Sequence, residues 1–147
     1  MTNPLRVTFD VDCPPDHAFT VWTSKLGTWW PRDHTVSGEP EEIVLENGPG
    51  GRIYERTAGG EQHDWGEVTV WEPPHRLSYL WHIGRKRETA TEVEISFVGD
   101  GATRTRIEIV HSGWDKLGDE AAARRDQNRG GWDAVLPHYV AAVGEGA

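Results

Sequence analysis

The stretch RIEIVHSGWD, residues 106–115, holds the ionisable group best placed to do chemistry. Ile107, Ile109 and His111 recur at every second position, so on a strand they share one face. Two isoleucines mark that face as buried. The histidine is then either a strand-end group bonded within the protein or a polar group in an apolar pocket. In a pocket it could hydrogen-bond a ligand's carbonyl or hydroxyl, or move a proton, since an unperturbed imidazole titrates near neutrality. Glu55 is the residue to pair with it. It follows Ile53 at the inward offset of RIYERT, and a buried carboxylate near His111 would make an acid–base pair with shifted pKa values. If Tyr54 faces inward instead, Glu55 is solvated, the commoner state of an unpartnered glutamate.

Aromatic residues supply the apolar part of such a pocket. Leu77, Tyr79, Trp81 and Ile83 share one face of RLSYLWHI, which makes Tyr79 and Trp81 candidates for a pocket wall as well as for the core. Trp30 and Trp132 would close the pocket from a short helix and from the C-terminal helix, with Ile109 in the wall beside His111. The chain carries 8 tryptophans in 147 residues. Such rings fill wide cores and also line small-ligand pockets. His17, His34, His63, His75, His82 and His138 show no zinc-ligand spacing such as H-E-x-x-H, and Cys13 has no cysteine companion, so no metal is expected. His82 alternates with Trp81 and should face outward. Neither a G-x-S-x-G elbow nor a phosphate-cradling loop occurs, and no cofactor is expected.

The elements that position these residues follow from periodicity. LRVTFDVD alternates Leu5, Val7, Phe9 and Val11 and reads as a first strand. Paired prolines, Asp16, and Phe19, Trp22 and Leu26 at helical spacing predict a short helix that Gly27 breaks. A second helical turn is expected over Thr28–Trp30, and residues 31–42 read as a surface loop. Six strands follow: EIVLEN, RIYERT, HDWGEVTVWE, RLSYLWHI, ATEVEISFV and TRTRIEIVH, separated by turn-forming stretches such as GPGG and GDGA. From about Asp119 to Val143 the chain is helical in character. Trp132, Val135, Leu136, Tyr139, Val140 and Val143 trace an amphipathic face. Gly130, Gly131 and Pro137 predict a kink or break in that helix. A sheet with an apolar inner face must be covered, and this helix is the one long element available.

Composition narrows the function classes. The formal net charge is -9, from 24 acidic and 15 basic side chains, which disfavours nucleic acid and anionic membrane surfaces as partners. Arg85, Lys86 and Arg87 read as a solvated hairpin tip. No apolar run approaches the ~18 residues of a membrane span. The N-terminal MTNPLRVTFD lacks a secretory signal's basic and apolar regions, and the single Cys13 suits a reducing compartment, so a cytoplasmic location is expected. Without repeats or a linker, residues 1–147 are expected to form one domain.

VDCPPDHAFTVWTSKLGTWWP, GPGGRIYE, GEVTVWEPPHRLSYLW, TEVEISF, IVHSGW and GGWDAVLPHY occur in an order that resembles the START-like (SRPBCC) superfamily. They are most similar to the branch named for the activator of the heat-shock-protein-90 ATPase. The resemblance spans nearly the whole chain. It implies an α+β helix-grip fold: a seven-stranded antiparallel sheet curved around a long C-terminal helix, with two short helices after the first strand. It also implies a cavity for a small hydrophobic ligand, but no single activity. The leading expectation is a binding protein for a lipid-like or aromatic molecule, with His111 as its polar anchor. A hydrolase or cyclase using His111 and Glu55 in the same cavity is the second reading. A co-chaperone-like module with an exposed apolar patch is the third. An exposed edge strand could also pair across a homodimer.

Overall fold

A computed structural model describes residues 2–145. In chain order the elements are β1 (Leu5–Val11), α1 (Pro15–Thr23), α2 (Leu26–Trp29), β2 (Pro40–Leu45), β3 (Arg52–Thr57), β4 (Gln62–Glu72), β5 (Arg76–Trp81), β6 (Thr91–Gly99), β7 (Thr105–Ser112) and α3 (Ala121–Glu145). The strands form a single seven-stranded sheet in the order β1-β7-β6-β5-β4-β3-β2, every neighbouring pair antiparallel. The sheet curves around α3, and α1 and α2 close one end. This is the helix-grip arrangement expected from the sequence.

Register aligns the inward faces. Leu5, His111 and Val93 lie side by side across β1, β7 and β6, as do Val7, Ile109 and Ile95, and then Phe9, Ile107 and Phe97. Both α1 and α3 pack over these rows. Pro15 starts α1 at a position where its missing N–H costs nothing, and Asp16 complements the helix dipole. The helix stops at Thr23, earlier than expected. Gly27 is not its breaker but lies inside α2, where a Cβ would stand 2.8 Å from the Ile43 carbonyl oxygen. Glycine there lets the helix approach β2. The expected loop over residues 31–42 contains a 3-10 turn at Arg32–His34 and the first residues of β2.

Of the kink or break expected at Gly130, Gly131 and Pro137, the break does not occur: α3 continues through all three as one helix. Burial of Trp132, Val135, Leu136, Tyr139 and Val143 outweighs the local cost of those residues. Val140 was expected on the same face but is 44% exposed. At 100° per residue it lies about 80° from Trp132 around the helix, past the edge of the buried stripe. No helix among the described residues is long and apolar enough to cross a membrane.

One glycine in the sheet yields a direct prediction. A Cβ on Gly66 would come within 2.0 Å of the Leu80 carbonyl oxygen, a backbone atom held in the β4–β5 ladder. Gly66→Ala should therefore lower stability by about 2–3 kcal/mol, since overpacking typically costs 1–3 kcal/mol. Chemical denaturation checks this, and an unchanged midpoint would contradict it.

Candidate functional site

Between the end of β5 and the middle of α3 the structure leaves a cleft of ≈ 230 Å³. Three tryptophans from separate elements form its walls: Trp30 just after α2, Trp81 at the last position of β5, and Trp132 on α3. Each is at least nine-tenths buried. The Trp30 indole N–H donates to the His34 carbonyl at 2.9 Å, which fixes that ring in the cleft wall, and the Trp30 and Trp81 rings lie 5.6 Å apart. Ile83 and Val135 add apolar wall. His34, Arg124, Gln127 and Asn128 add polar groups, and Gly131 leaves room where a side chain would stand.

His111 is not on the cleft surface. It is fully buried one layer behind Trp132. The Trp132 indole N–H donates to its Nδ1 at 3.1 Å. An indole can only donate, so Nδ1 is the bare acceptor and the proton sits on Nε2. That Nε2–H meets Thr91 Oγ1 at 2.7 Å, and the Thr91 hydroxyl donates to the Trp81 carbonyl at 3.3 Å. Trp114 covers one face of the ring, with centroids 4.3 Å apart, and its own indole donates to the His111 carbonyl. Burial drives the imidazole pKa down to about 3. His111 is thus a neutral histidine with both ring nitrogens engaged, and it links the indole of one wall residue to the backbone of another.

Glu55 is buried as well, which overturns the expectation of a solvated side chain. On β3, Ile53 and Glu55 both face inward, while Tyr54 packs beneath the Arg52 guanidinium on the outer side. No hydrogen bond joins Glu55 to His111. The carboxylate instead accepts from the Val36 N–H at 2.5 Å, from the Ser37 N–H and hydroxyl at 3.0 and 2.6 Å, and from the Trp65 indole at 2.8 Å. Burial alone would raise its pKa. The hydrogen bonds from Ser37, Val36 and Trp65 outweigh that and hold it below the ordinary carboxylate value. Glu55 therefore anchors the loop that carries His34. Its contribution to stability is present above the ordinary carboxyl pKa of 4.5 and is lost as pH falls through the lower folded value. Glu55→Gln should speed amide exchange at Val36 and Ser37, because a neutral amide cannot accept all these bonds. Unchanged exchange at both positions would contradict the anchoring role.

The other expected wall residues separate. Tyr79 is buried in the core and hydrogen-bonded by Trp22, and Ile109 is sealed within the sheet face, so neither lines the cleft. His82 is buried, not outward, because the strand alternation ends at Trp81. The His82 N–H bonds the Trp65 carbonyl, and its Nδ1 lies 3.2 Å from the Arg85 carbonyl. Arg124, Gln127, Asn128 and Gly131 escaped the sequence reading. Seen down α3, Arg124, Asn128 and Gly131 stand within about 40° of Val135, and Gln127 stands about 80° from it, all on one side of Trp132. Among the described residues no group of three His, Cys, Asp or Glu is placed to hold a metal ion.

Comparison with known proteins agrees with this architecture. Among solved structures, an anthrahydroquino-gamma-pyrone synthase is 31% identical, with a TM-score of 0.60 over 83% of this chain and 84% of that one. CalC, a self-sacrificing resistance protein from Micromonospora echinospora, is 25% identical, with a TM-score of 0.75 over 97% of this chain and 95% of that one. An HSP90 activator from Plasmodium falciparum shares the fold at 18% identity, with a TM-score of 0.64 over 95% and 94% of the two chains. No curated protein matches the chain. The family model described as activator of Hsp90 ATPase homolog 1-like protein matches residues 12–144, and the chain belongs to that family.

Proposed function

We propose that this protein binds a small hydrophobic ligand, aromatic rather than chain-like, in the cleft walled by Trp30, Trp81 and Trp132. The observation that carries the reading is the convergence of these rings, from three separate elements, around space that the core does not fill. Flat aromatic walls favour flat ligands, through offset or edge contacts worth about 0.5–1.5 kcal/mol each beyond area burial. The volume of ≈ 230 Å³ lies below the ~300–1,000 Å³ usual for ligand pockets, which favours two or three fused rings over a sterol or a long acyl chain. The synthase at 31% identity, whose name denotes a fused-ring compound, supports the same ligand class.

Catalysis by His111 and Glu55 gains no support from the geometry, since each is consumed by its own set of partners. Among the described residues the large exposed apolar side chains, Val36, Val98 and Val140, lie on separate elements, which lends no weight to a protein-docking patch. The buried Cys13, its thiol pushed up to about 11 by burial and by Asp16 and Asp12, is suited to a reducing cytoplasm. Titration of tryptophan fluorescence with naphthalene and anthraquinone derivatives, and with palmitate as the chain-like comparison, tests the ligand class. Saturable quenching by the fused-ring compounds and none by palmitate is expected. A flat response to every fused-ring compound would overturn the proposal.

A further inference from the structure

The charge around the cleft opposes that of the protein. The chain carries a formal net charge of -9, yet Arg124 is the charged group in the cleft lining, which holds no aspartate or glutamate; Asp33 stands outside it, 3.9 Å from the His34 ring. A smaller cavity of ≈ 30 Å³ adjoins it, sharing Trp81, Ile83, Arg124 and Asn128. That cavity adds His82 and Arg85, again without a carboxylate.

Arg124 stands at the junction of the two. Its Nε is buried without a hydrogen-bond partner, and no ion pair among the described residues includes it. Its neighbour Arg125, by contrast, pairs with Asp126. Leaving a buried N–H unsatisfied is unfavourable, and a cation in the first turn of a helix also lies at the wrong end of the dipole. An anion beside the guanidinium offsets the second of these. A guanidinium fork matches the two oxygens of a carboxylate and also accommodates a single phenolate oxygen. Along α3, Asn128 and Trp132 lie one and two turns beyond Arg124, about 40° and 80° around the helix from it, and all three line the cleft. A ring packed against Trp132, with its acidic group directed toward the start of α3, therefore meets Arg124.

We infer that the ligand of this cleft carries an anionic oxygen, a carboxylate or an ionised phenol, on its aromatic frame, and that Arg124 receives it. This inference rests on the cleft-binding reading above and adds the ligand's charge. The matched pair 2-naphthoate and 2-naphthamide differs in that charge with little change of shape. Calorimetric titration of both into the full chain at pH 7.5 should show naphthoate binding at least tenfold more tightly, about 1.4 kcal/mol. In Arg124→Met the ratio of the two affinities should fall to within about twofold of one.

Equal affinity of the pair for the unaltered protein would overturn the inference and leave the cleft reading standing. So would a preference that survives in Arg124→Met. Binding of neither compound would remove the cleft reading and this inference together. The comparison on the unaltered chain needs no variant, so poor folding of Arg124→Met would not blunt the test.

Discussion

Acidification below pH 6.5 should destabilise the fold steeply, by on the order of 5 kcal/mol by pH 3, through His111 alone. In the unfolded chain this imidazole takes up a proton near pH 6.5, whereas in the folded protein it stays neutral down to about 3. Between those values the unfolded state binds the additional proton, so stability rises with pH and falls on acidification, by about 1.4 kcal/mol per unit. The ring's surroundings explain the refusal. Thr91, Trp132 and Trp114 touch it, none carries a charge, and protonation at Nδ1 would set a second donor against the Trp132 indole. Since domains are stable by only about 5–15 kcal/mol in total, the effect is large. Denaturant titrations at half-unit pH steps between 7.5 and 5 would read the slope above the window in which Glu55 titrates. His111→Asn can still accept from Trp132 but cannot titrate, and it should flatten the slope. An equally steep slope in that variant would contradict the assignment.

Gly131→Leu should separate ligand binding from stability. The position lines the cleft, and nothing stands within 4 Å of where its Cβ would be. Replacing glycine inside a helix by leucine recovers most of the ~1 kcal/mol that glycine costs there, so stability should hold or rise. The new side chain would occupy the space against Trp132 that a ligand ring needs. Affinity for any cleft ligand should then fall at least tenfold, about 1.4 kcal/mol. A stable variant that binds as the unaltered protein does would place the ligand elsewhere. Gly130→Ala is the matching control, because that position is exposed and does not line the cleft. It should gain stability and leave affinity unchanged.

Most of the fold was legible because period-two runs and glycine turns alternate cleanly from β2 to β7, and one amphipathic stripe remained to cover the sheet. The exceptions have local causes. On β3, Ile53, Tyr54 and Glu55 offer two phases of similar quality, and a register shift between Ile53 and Tyr54 interrupts the pairing with β4. Which phase wins depends on donors from Val36, Ser37 and Trp65, and no local pattern reveals them. His111 was equally ambiguous on its strand. Its role is decided by Thr91 and Trp132, 20 and 21 residues away in sequence. Trp30, Trp81 and Trp132 were readable as wall residues since large rings on inward faces can face a cavity or fill a core. Arg124 is not legible in the sequence, because it stands about 80° around α3 from Trp132, outside the apolar stripe that marks the buried face.

The most direct test of the cleft is a two-dimensional ¹H–¹⁵N spectrum of the indole N–H groups during titration with 2-naphthoate. The 8 tryptophans each supply a reporter at a known depth. Trp30, Trp81 and Trp132 line the cleft, while Trp22, Trp29, Trp65, Trp71 and Trp114 do not. Saturable shifts of the first three signals, with the other five moving little, are the predicted result. Shifts concentrated at Trp22, Trp71 or Trp114, or no saturable shift at any indole, would contradict it.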